Sequence, residues 1–449
     1  MDREGSSRWR ERLGREAAAL IPPGWKGRAF AARAPGRLDV LGGVGDYSGS
    51  LVLEFPLQEG CLALARAEVS SQVRAVSAGM EEEFPPFRMG LDELNRLGRD
   101  AFRGRFRWAA YVLGSLPILA RRGLSPGGLD VLVRSDLPPG AGLASSAALE
   151  VSSLLALCAA LGLGIPEEEI PGLAFRVEQE MAGAPCGFMD QAVVSRGKEG
   201  CLFLMDCSGE DMMENLEVPP GIIFFAVDTG VRHSVGGRAY ERARCAAFMG
   251  RKILEDVVPP GGPALLDPED FHEKLEPLLP ERLEGREFLE RFPGGTGDDV
   301  TAVDPREVYP LRGAFAFPVE ERARVERFVS LVRSLSPRGP AEEAVLEEMG
   351  DLLFLSHEGY GPMGLGFPEG NFLVDLVRKA REGGEGLYGA RVSGGGAGGS
   401  VAVLGTPRGA AALERAARLL AEETGGRGGR IFRGSSPGAL ELGTMEVGT

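Results

Sequence analysis

Histidine is scarce in this sequence, with only His233, His272 and His357 among 449 residues. A general base, if the protein has one, is therefore expected to be a carboxylate. The six cysteines form no CxxC pair and no cysteine–histidine cluster with the spacing of a zinc site. We therefore expect reduced thiols in a cytosolic protein, not disulfides or metal ligands.

Clusters of positive charge and long apolar runs are also missing. The 50 lysines and arginines are outnumbered by 65 aspartates and glutamates, which gives a net charge of -15. Surfaces that bind nucleic acid or an anionic membrane need clustered cations, so neither partner is expected. The most apolar stretch, 151–165, is interrupted by serine and glycine and is too short to span a bilayer. With its densely charged N-terminus, the chain is predicted to be soluble and cytoplasmic, with a small-molecule partner and an oligomeric state left open.

The length and a hydrophobic content of 43% predict a large core and two or three domains, with a boundary near residue 220 that divides 1–220 from 221–449. A Pro/Gly-rich insertion at 258–311 follows it. Alternating apolar runs predict strands at 31–35, 51–56, 61–67, 73–77, 129–135, 200–206, 222–228 and 400–404. Helical spacing predicts helices at 7–20, 108–121, 145–161, 165–181, 319–335, 341–357 and 370–382.

Two glycine-containing segments of the N-terminal half are candidates for ligand binding. The first, RAPGRLDVLGGVGDYSG at 33–49, places Arg37 and Asp46 between apolar runs, where a small polar ligand could contact side chains and backbone. The second, LPPGAGLASSAA at 137–148, precedes a predicted helix, so its free N–H groups and the helix dipole suit phosphate. It lacks the lysine of a Walker loop. For this segment alone, a serine-capped helix after a turn is the better explanation.

A third segment, VSGGGAGGS at 392–400, formally matches the dinucleotide-binding pattern GxGxxG. A predicted strand follows it, whereas a Rossmann motif requires a helix at that point. A glycine-rich turn inside a β-hairpin explains the segment without any ligand.

These three segments resemble, in order and spacing, the three motifs of the GHMP small-molecule kinases. The resemblance implies an α+β, two-domain GHMP kinase fold, with an N-terminal ribosomal-protein-S5-like domain, a C-terminal ferredoxin-like α/β domain and the active site between them. It implies that ATP and Mg²⁺ are the cofactors, that Ser146 and Glu178 ligate the metal, and that the third motif packs beside the phosphate loop. The residues that hold the ATP phosphates would be Gly140, Ala141, Gly142, Leu143, Ala144, Ser145 and Ser146.

The segment CGFMDQ at 186–191 is similar to the one that carries the catalytic aspartate in the galactokinase branch of this family, which implies that Asp190 is catalytic. Taken alone, an aspartate after methionine is more often a capping or surface carboxylate. Arg37 matches the family arginine that contacts this aspartate, and a neighbouring guanidinium is expected to lower the pKa of Asp190. Asp190 would then accept the proton of an anomeric hydroxyl or hold that hydroxyl in line, while Arg37 and Mg²⁺ stabilise the transferring phosphoryl group.

The galactokinase signature GRxNxIGEHxDY reads GRLDVLGGVGDY at 36–47. Asp46, Gly187 and Tyr240 match positions that bind the sugar, but Gly43 and Val44 replace the Glu-His pair that serves the C6 hydroxymethyl group. L-Arabinopyranose has the ring configuration of D-galactose without C6, so it is the sugar that this change predicts. Segments 37–53, 183–191 and 356–366 are also similar to the kinase domain of plant L-arabinokinases, which implies that the product is L-arabinose 1-phosphate.

Several alternatives stay open at this point. Trp108 matches an aromatic position near adenine in galactokinases, but a core tryptophan on an amphipathic helix explains it equally well. The protein could phosphorylate galactose, fucose or glucuronate, although Gly43 and Val44 offer no cation for the glucuronate carboxylate. It could also be a non-catalytic sugar sensor on the galactokinase fold, which would tolerate loss of the phosphate loop, Glu178 or Asp190.

Overall fold

The structure is a computed structural model that describes residues 3–124, 126–209, 212–232, 237–335 and 342–448. His233 and the first residue of the helix predicted at 341–357 lie outside these ranges. The strands, in chain order, are β1 (Arg28–Leu41), β2 (Leu51–Glu68), β3 (Gln72–Ser77), β4 (Phe87–Gly90), β5 (Gly128–Ser135), β6 (Cys201–Asp206), β7 (Met213–Glu217), β8 (Ile223–Asp228), β9 (Leu283–Glu284), β10 (Val308–Tyr309), β11 (Leu387–Val392), β12 (Ser400–Gly405), β13 (Ile431–Arg433) and β14 (Thr444–Gly448).

The helices surround two main sheets. In chain order they are α1 (Arg3–Leu20), α2 (Leu91–Leu97), α3 (Trp108–Leu113), α4 (Ser115–Arg121), α5 (Ser145–Leu161), α6 (Ile170–Arg176), α7 (Met189–Arg196), α8 (Arg238–Ile253), α9 (Pro268–Asp270), α10 (Gly285–Arg291), α11 (Leu311–Ser334), α12 (Glu343–Tyr360), α13 (Pro368–Glu382), α14 (Ala410–Glu423) and α15 (Ala439–Leu442). Among the described residues, no helix combines the length and the apolar composition that crossing a bilayer requires.

The first sheet has the strand order β14-β1-β2-β5-β3-β4, and β6 pairs with β2 while β7 pairs with β6. Strand β2 is one continuous strand, whereas the sequence predicted two, at 51–56 and 61–67. Strand β1 carries two register shifts against β2, between Pro35/Arg37 and Asp39/Leu41. Bulges of this kind re-aim side chains, and these two lie on either side of the Arg37 side chain.

Helix α5 lies across β1 and β2 and also packs against α3, α6 and α7. Because it is enclosed on several sides, it is apolar around most of its circumference. Ala144, just before it, has φ 53°, in the left-handed region that non-glycine residues rarely adopt. The chain therefore changes direction sharply at Ala144, where the predicted phosphate loop meets α5.

The second sheet has the strand order β11-β12-β8-β13, with α12 and α13 packed against β11. The glycine-rich segment 393–399 is the turn between the antiparallel strands β11 and β12, as the hairpin interpretation predicted. The second sheet begins at Ile223 with β8, while β14 returns to pair with β1 of the first sheet. The domain boundary near 220 stays a prediction.

Several elements differ from the sequence prediction. Gly114 separates α3 from α4, which were predicted as one helix, and α6 continues as a π-helical turn at Val177–Ala182. Single-turn π-helices often occur at functional sites. The insertion at 258–311 is not structureless, because it contains α9, α10 and the small β9–β10 sheet.

Candidate active site

A cavity of about 610 Å³ lies beside the loop that precedes α5. The residues predicted from the sequence converge on it from β1, the phosphate loop, the π-helical turn, α7 and α8. Those that line it are Arg37, Gly43, Val44, Asp46, Trp108, Gly140, Gly142, Leu143, Ala144, Ser145, Ser146, Glu178, Gly187, Asp190 and Tyr240. Ala141 is fully buried instead, and its carbonyl oxygen accepts a hydrogen bond from the Ser400 hydroxyl at 2.7 Å.

Arg37 is the centre of the polar contacts in this cavity. Its Nε donates to Oδ1 of Asp190 at 2.8 Å, and its Nη1 donates to the carbonyl oxygen of Gly142 at 2.8 Å. Its Nε also lies 3.1 Å from Oε2 of Glu54, a carboxylate on β2 with no exposed surface. One buried guanidinium therefore links the predicted catalytic aspartate to the predicted phosphate loop.

The pKa values of Asp190 and Arg37 depend both on burial and on neighbouring charges. Burial raises the pKa of Asp190 above its usual value, and although Arg37 lowers it, burial has the larger effect. Arg37 thus has the expected effect on the Asp190 pKa, but the net shift is upward because burial outweighs it. Burial also lowers the pKa of Arg37, but Asp190, Glu54 and Asp39 together raise it by more, so Arg37 stays charged.

Asp46 is the second carboxylate that faces the cavity. Its Oδ1 accepts the Tyr47 N–H at 2.7 Å, and burial raises its pKa to about 6 even though Arg244 lowers it. A Cβ atom on Gly187 would lie 1.6 Å from Oδ2 of Asp46, so only glycine allows these two segments to approach this closely. Tyr240 meets the Tyr47 ring edge-on, with 6.1 Å between the ring centroids.

The insertion at 258–311 supports this part of the cavity from behind. Both oxygens of Asp298, which belongs to the insertion, accept hydrogen bonds from Arg244 at 3.0 Å. The Arg244 guanidinium lies 5.2 Å from the centroid of the Tyr47 ring, within the range of a cation–π contact. No local sequence pattern indicates this support, since it depends on contacts between distant segments.

Gly43 occupies a position that no side chain could fill. Its φ is 52°, and a Cβ atom there would lie 2.3 Å from the Tyr360 hydroxyl oxygen and 2.6 Å from Nη2 of Arg391. Arg391 is held in turn by Oδ1 of Asp39 at 2.8 Å. Val44, next to Gly43, presents an apolar wall to the cavity.

The third glycine-rich motif packs against the phosphate loop, as the resemblance implied. The Gly394 N–H donates to Oδ2 of Asp39 at 2.8 Å. A Cβ atom on Gly142 would come within 3.3 Å of the Ser393 carbonyl oxygen. The two loops therefore approach backbone to backbone.

Trp108 is both a core residue and part of the cavity wall. Its side chain is 8% exposed, and its indole N–H donates to the carbonyl oxygen of Pro85 at 3.2 Å. Its ring packs near Phe84, with 6.3 Å between centroids, and both residues line the cavity. A contact with adenine stays a prediction.

The residues predicted to hold Mg²⁺ lie together at the start of α5. The Ser146 hydroxyl and Gln191 hydrogen-bond the Glu178 carboxylate, while burial raises the pKa of Glu178 to about 7. Among the described residues, no group of three or more histidine, cysteine, aspartate and glutamate side chains forms a ready metal cage. One hydroxyl and one carboxylate with no cationic partner suit a hard cation whose other ligands are phosphate and water oxygens, so these residues fit Mg²⁺.

Sequence reasoning missed several buried polar residues around the cavity. One signal was available for Glu54, because it is a single carboxylate within the apolar run LVLEFPL of β2. Gln191 and Tyr360 lie inside segments that carried the family resemblance, but nothing local indicated what they contact. The missed residues are Asp39, Glu54, Glu150, Gln191, Arg244, Tyr360 and Arg391.

Comparison with known proteins identifies relatives of this chain. The family of GHMP kinases N terminal domains matches residues 110–198. L-Arabinokinase from Arabidopsis thaliana is 33% identical over 499 aligned positions, which cover 94% of this chain and 47% of that protein. This chain therefore spans about half the length of that relative. Galactokinase from Chloroflexus aggregans is 29% identical, with 83% of each chain covered.

Solved structures show the same fold. Lactococcus lactis galactokinase complexed with galactose has a TM-score of 0.77 at 20% identity, with 97% of this chain and 99% of that chain covered. A mevalonate kinase has a TM-score of 0.55 at 13% identity, with 90% and 98% covered. Residues 110–198 therefore carry the N-terminal domain of the GHMP kinases, and the chain has the fold that its galactokinase and mevalonate kinase neighbours share.

Proposed function

We propose that the protein is a sugar 1-kinase that transfers the γ-phosphoryl group of ATP to the anomeric hydroxyl of L-arabinose, giving L-arabinose 1-phosphate. The observation that carries this proposal is the position of Arg37, which binds Asp190 and the Gly142 carbonyl at the same time. A carboxylate is thereby held next to a loop at a helix N-terminus, where phosphate groups bind well. The L-arabinokinase and galactokinase relatives support the reaction class.

In the proposed mechanism, Asp190 holds the anomeric hydroxyl and accepts its proton as the oxygen attacks phosphorus. Arg37 keeps Asp190 in place and contributes positive charge where negative charge develops on the phosphoryl group. Backbone N–H groups in the first turn of α5 have no partners within the helix, so they can bind the ATP phosphates. Ser146 and Glu178 would hold Mg²⁺, which would supply further positive charge to those phosphates.

The choice of sugar rests on the walls of the cavity around Asp46. Asp46 and Tyr240 provide polar groups for ring hydroxyls, while Gly43 and Val44 provide none. A hydroxymethyl group at C6 would bury its hydroxyl against an apolar wall, whereas a pentopyranose has no such group. This favours L-arabinose over galactose.

The second candidate function is galactokinase activity. It is favoured by the galactokinase relatives and by the structural neighbour that was solved with galactose. A non-catalytic sugar sensor is less well supported, because the phosphate loop, Glu178 and the Arg37–Asp190 pair are all in place.

An ADP-release assay with MgATP and a panel of aldopyranoses tests the proposal. We expect the highest kcat/KM with L-arabinose, and we expect the product to carry phosphate on the anomeric oxygen. Galactose as the best substrate would overturn only the sugar assignment. If no sugar releases ADP above the background rate, the kinase assignment itself is wrong.

Replacing either predicted metal ligand should raise the Mg²⁺ concentration that half-maximal activity requires. Ser146→Ala removes a neutral oxygen and Glu178→Gln removes a charge, so the larger effect is expected for Glu178→Gln. The measurement is initial rate against free Mg²⁺ at fixed ATP. Unchanged Mg²⁺ dependence in both variants would place the metal elsewhere.

Sugar binding should weaken below pH 6. Because burial raises the pKa of Asp46 to about 6, the carboxylate is ionised above that pH and protonated below it. Protonation removes an anionic acceptor for ring hydroxyls, so the sugar KM should rise by up to about tenfold per pH unit below 6. We would measure sugar KM from pH 5 to 8 at saturating MgATP, with the KM of ATP as the control. Asp46→Asn should show a higher KM that no longer depends on pH, and a flat wild-type profile would contradict the prediction.

A further inference from the structure

Two buried glutamates flank one glutamine side chain beside the predicted metal site. Glu150 lies on α5, Glu178 in the π-helical turn and Gln191 on α7, next to Asp190. The Gln191 side-chain amide donates to Oε2 of Glu150 at 2.9 Å and to Oε2 of Glu178 at 2.5 Å. All three side chains are at most 2% exposed. Both N–H groups of a single amide are therefore directed at carboxylates.

This arrangement lacks positive charge. In the described parts of the chain, neither Glu150 nor Glu178 forms an ion pair, and Oε1 of Glu150 and Oε1 of Gln191 have no hydrogen-bond partner. Burying an unpaired carboxylate costs free energy, and a second carboxylate nearby increases that cost. A structural role alone does not explain a glutamate at position 150, since glutamine has nearly the same size and would avoid any cost of burying a charge.

The contacts also explain how Glu150 can influence Glu178. A terminal amide can present either its nitrogen or its oxygen to a neighbour. A carboxylate accepts hydrogen bonds only, so Glu150 and Glu178 both select the nitrogen of Gln191. With Oε2 of Glu178 held by Gln191, the orientation of the Glu178 carboxylate at the cavity is fixed.

We propose that Glu150 is a positioning residue for the metal site, acting through Gln191 to orient Glu178. This inference rests on the proposed function, because it assumes that Ser146 and Glu178 hold the divalent cation. Residues that orient metal ligands in this way typically change metal affinity by about 10–100-fold when they are replaced. Glu150 would then resemble such residues in effect, although it need not touch the metal.

The proposal predicts that replacing Glu150 weakens metal binding without lowering the stability of the metal-free protein. In Glu150→Gln, the Mn²⁺ affinity in the presence of ADP should fall about tenfold. The melting temperature of the metal-free variant should not fall, because glutamine has nearly the same size as glutamate and never carries a charge. Free Mn²⁺ is measured by electron paramagnetic resonance, and melting by circular dichroism.

Glu54→Gln is the matched control, because Glu54 is also a buried carboxylate but lies against Arg37 and not against Gln191. Its Mn²⁺ affinity should stay within about twofold of the wild type. Gln191→Asn is the second variant, since the shorter amide cannot reach both glutamates, and it should lose affinity like Glu150→Gln. It keeps the proposal testable if Glu150→Gln does not fold.

The outcomes separate this inference from the proposed function. If the wild type binds Mn²⁺ with ADP and either folded variant binds it equally well, the positioning role is overturned and the kinase assignment is untouched. If the wild type itself binds no Mn²⁺ in the presence of ADP, or binds it no better than Ser146→Ala, the proposed metal site fails and this inference fails with it.

Discussion

Asp190→Asn is expected to lower kcat by about 10²–10⁴-fold while the sugar dissociation constant changes by less than about tenfold. The substitution keeps the size of the side chain and most of its hydrogen-bonding capacity, but it removes the negative charge. The amide oxygen can still accept from Nε of Arg37, as Oδ1 of Asp190 does at 2.8 Å, but the ion pair is lost. The anomeric hydroxyl loses the group that takes its proton, so the loss should fall on the chemical step more than on binding.

The matched control is Asp46→Asn, which makes the same chemical change in the same cavity. Asp46 is proposed to bind ring hydroxyls and not the reacting oxygen, so its replacement should raise the sugar dissociation constant by more than it lowers kcat. Both variants are compared by steady-state kinetics and by calorimetric titration with the sugar. Turnover by Asp190→Asn at the wild-type rate would remove Asp190 from the mechanism.

The parts of this site that local sequence could predict are those defined by short motifs. The phosphate loop, the helix that begins at Ser145 and the hairpin turn at 393–399 all lie where their segments indicated. Glycine and serine patterns at these places reflect backbone geometry within a few residues. For that reason, the local sequence is sufficient to predict the positions of this loop, this helix and this turn.

Features that depend on long-range packing could not be predicted in this way. Residues 51–56 and 61–67 form one strand because β1 pairs with β2 on both sides of Gly60, while β6 pairs with its first part and β5 with its second. The glycine conceals this continuity in the sequence. Strand β14 pairs with β1 although the two lie near opposite ends of the described chain. The net direction of the Asp190 pKa shift depends on the burial of this carboxylate in the folded chain, which no local pattern reveals.

Gly43 is the clearest example of a long-range requirement. By comparison with the galactokinase signature, Gly43 stands where a glutamate would be, and Val44 where a histidine would be. In the structure, the Tyr360 hydroxyl and the Arg391 guanidinium occupy the volume that a side chain would need, at 2.3 and 2.6 Å from a Cβ position. These residues come from α12 and β11, far along the chain.

Restoring the galactokinase pair with Gly43→Glu and Val44→His is therefore expected to abolish activity, not to create a galactokinase. The glutamate would require φ 52° from a residue with a side chain, and it would displace two buried groups that are fixed by hydrogen bonds. We expect little soluble protein, or a melting temperature well below that of the wild type. A stable double variant that prefers galactose would contradict this reading of Gly43.

Val44 is the position at which the sugar preference can be tested with Gly43 kept. The wild type should prefer L-arabinose to galactose by roughly 5- to 150-fold in kcat/KM, since an unmade hydrogen bond to the C6 hydroxyl costs about 1–3 kcal/mol. Val44→Thr has nearly the same shape and adds one hydroxyl at the cavity wall, so it should narrow that ratio. Val44→Ala removes bulk without adding a polar group, and it separates the effect of space from that of hydrogen bonding. If alanine narrows the kcat/KM ratio as much as threonine does, the wall selects the sugar by volume alone. A wild-type enzyme that prefers galactose would overturn the sugar assignment but leave the kinase reaction in place.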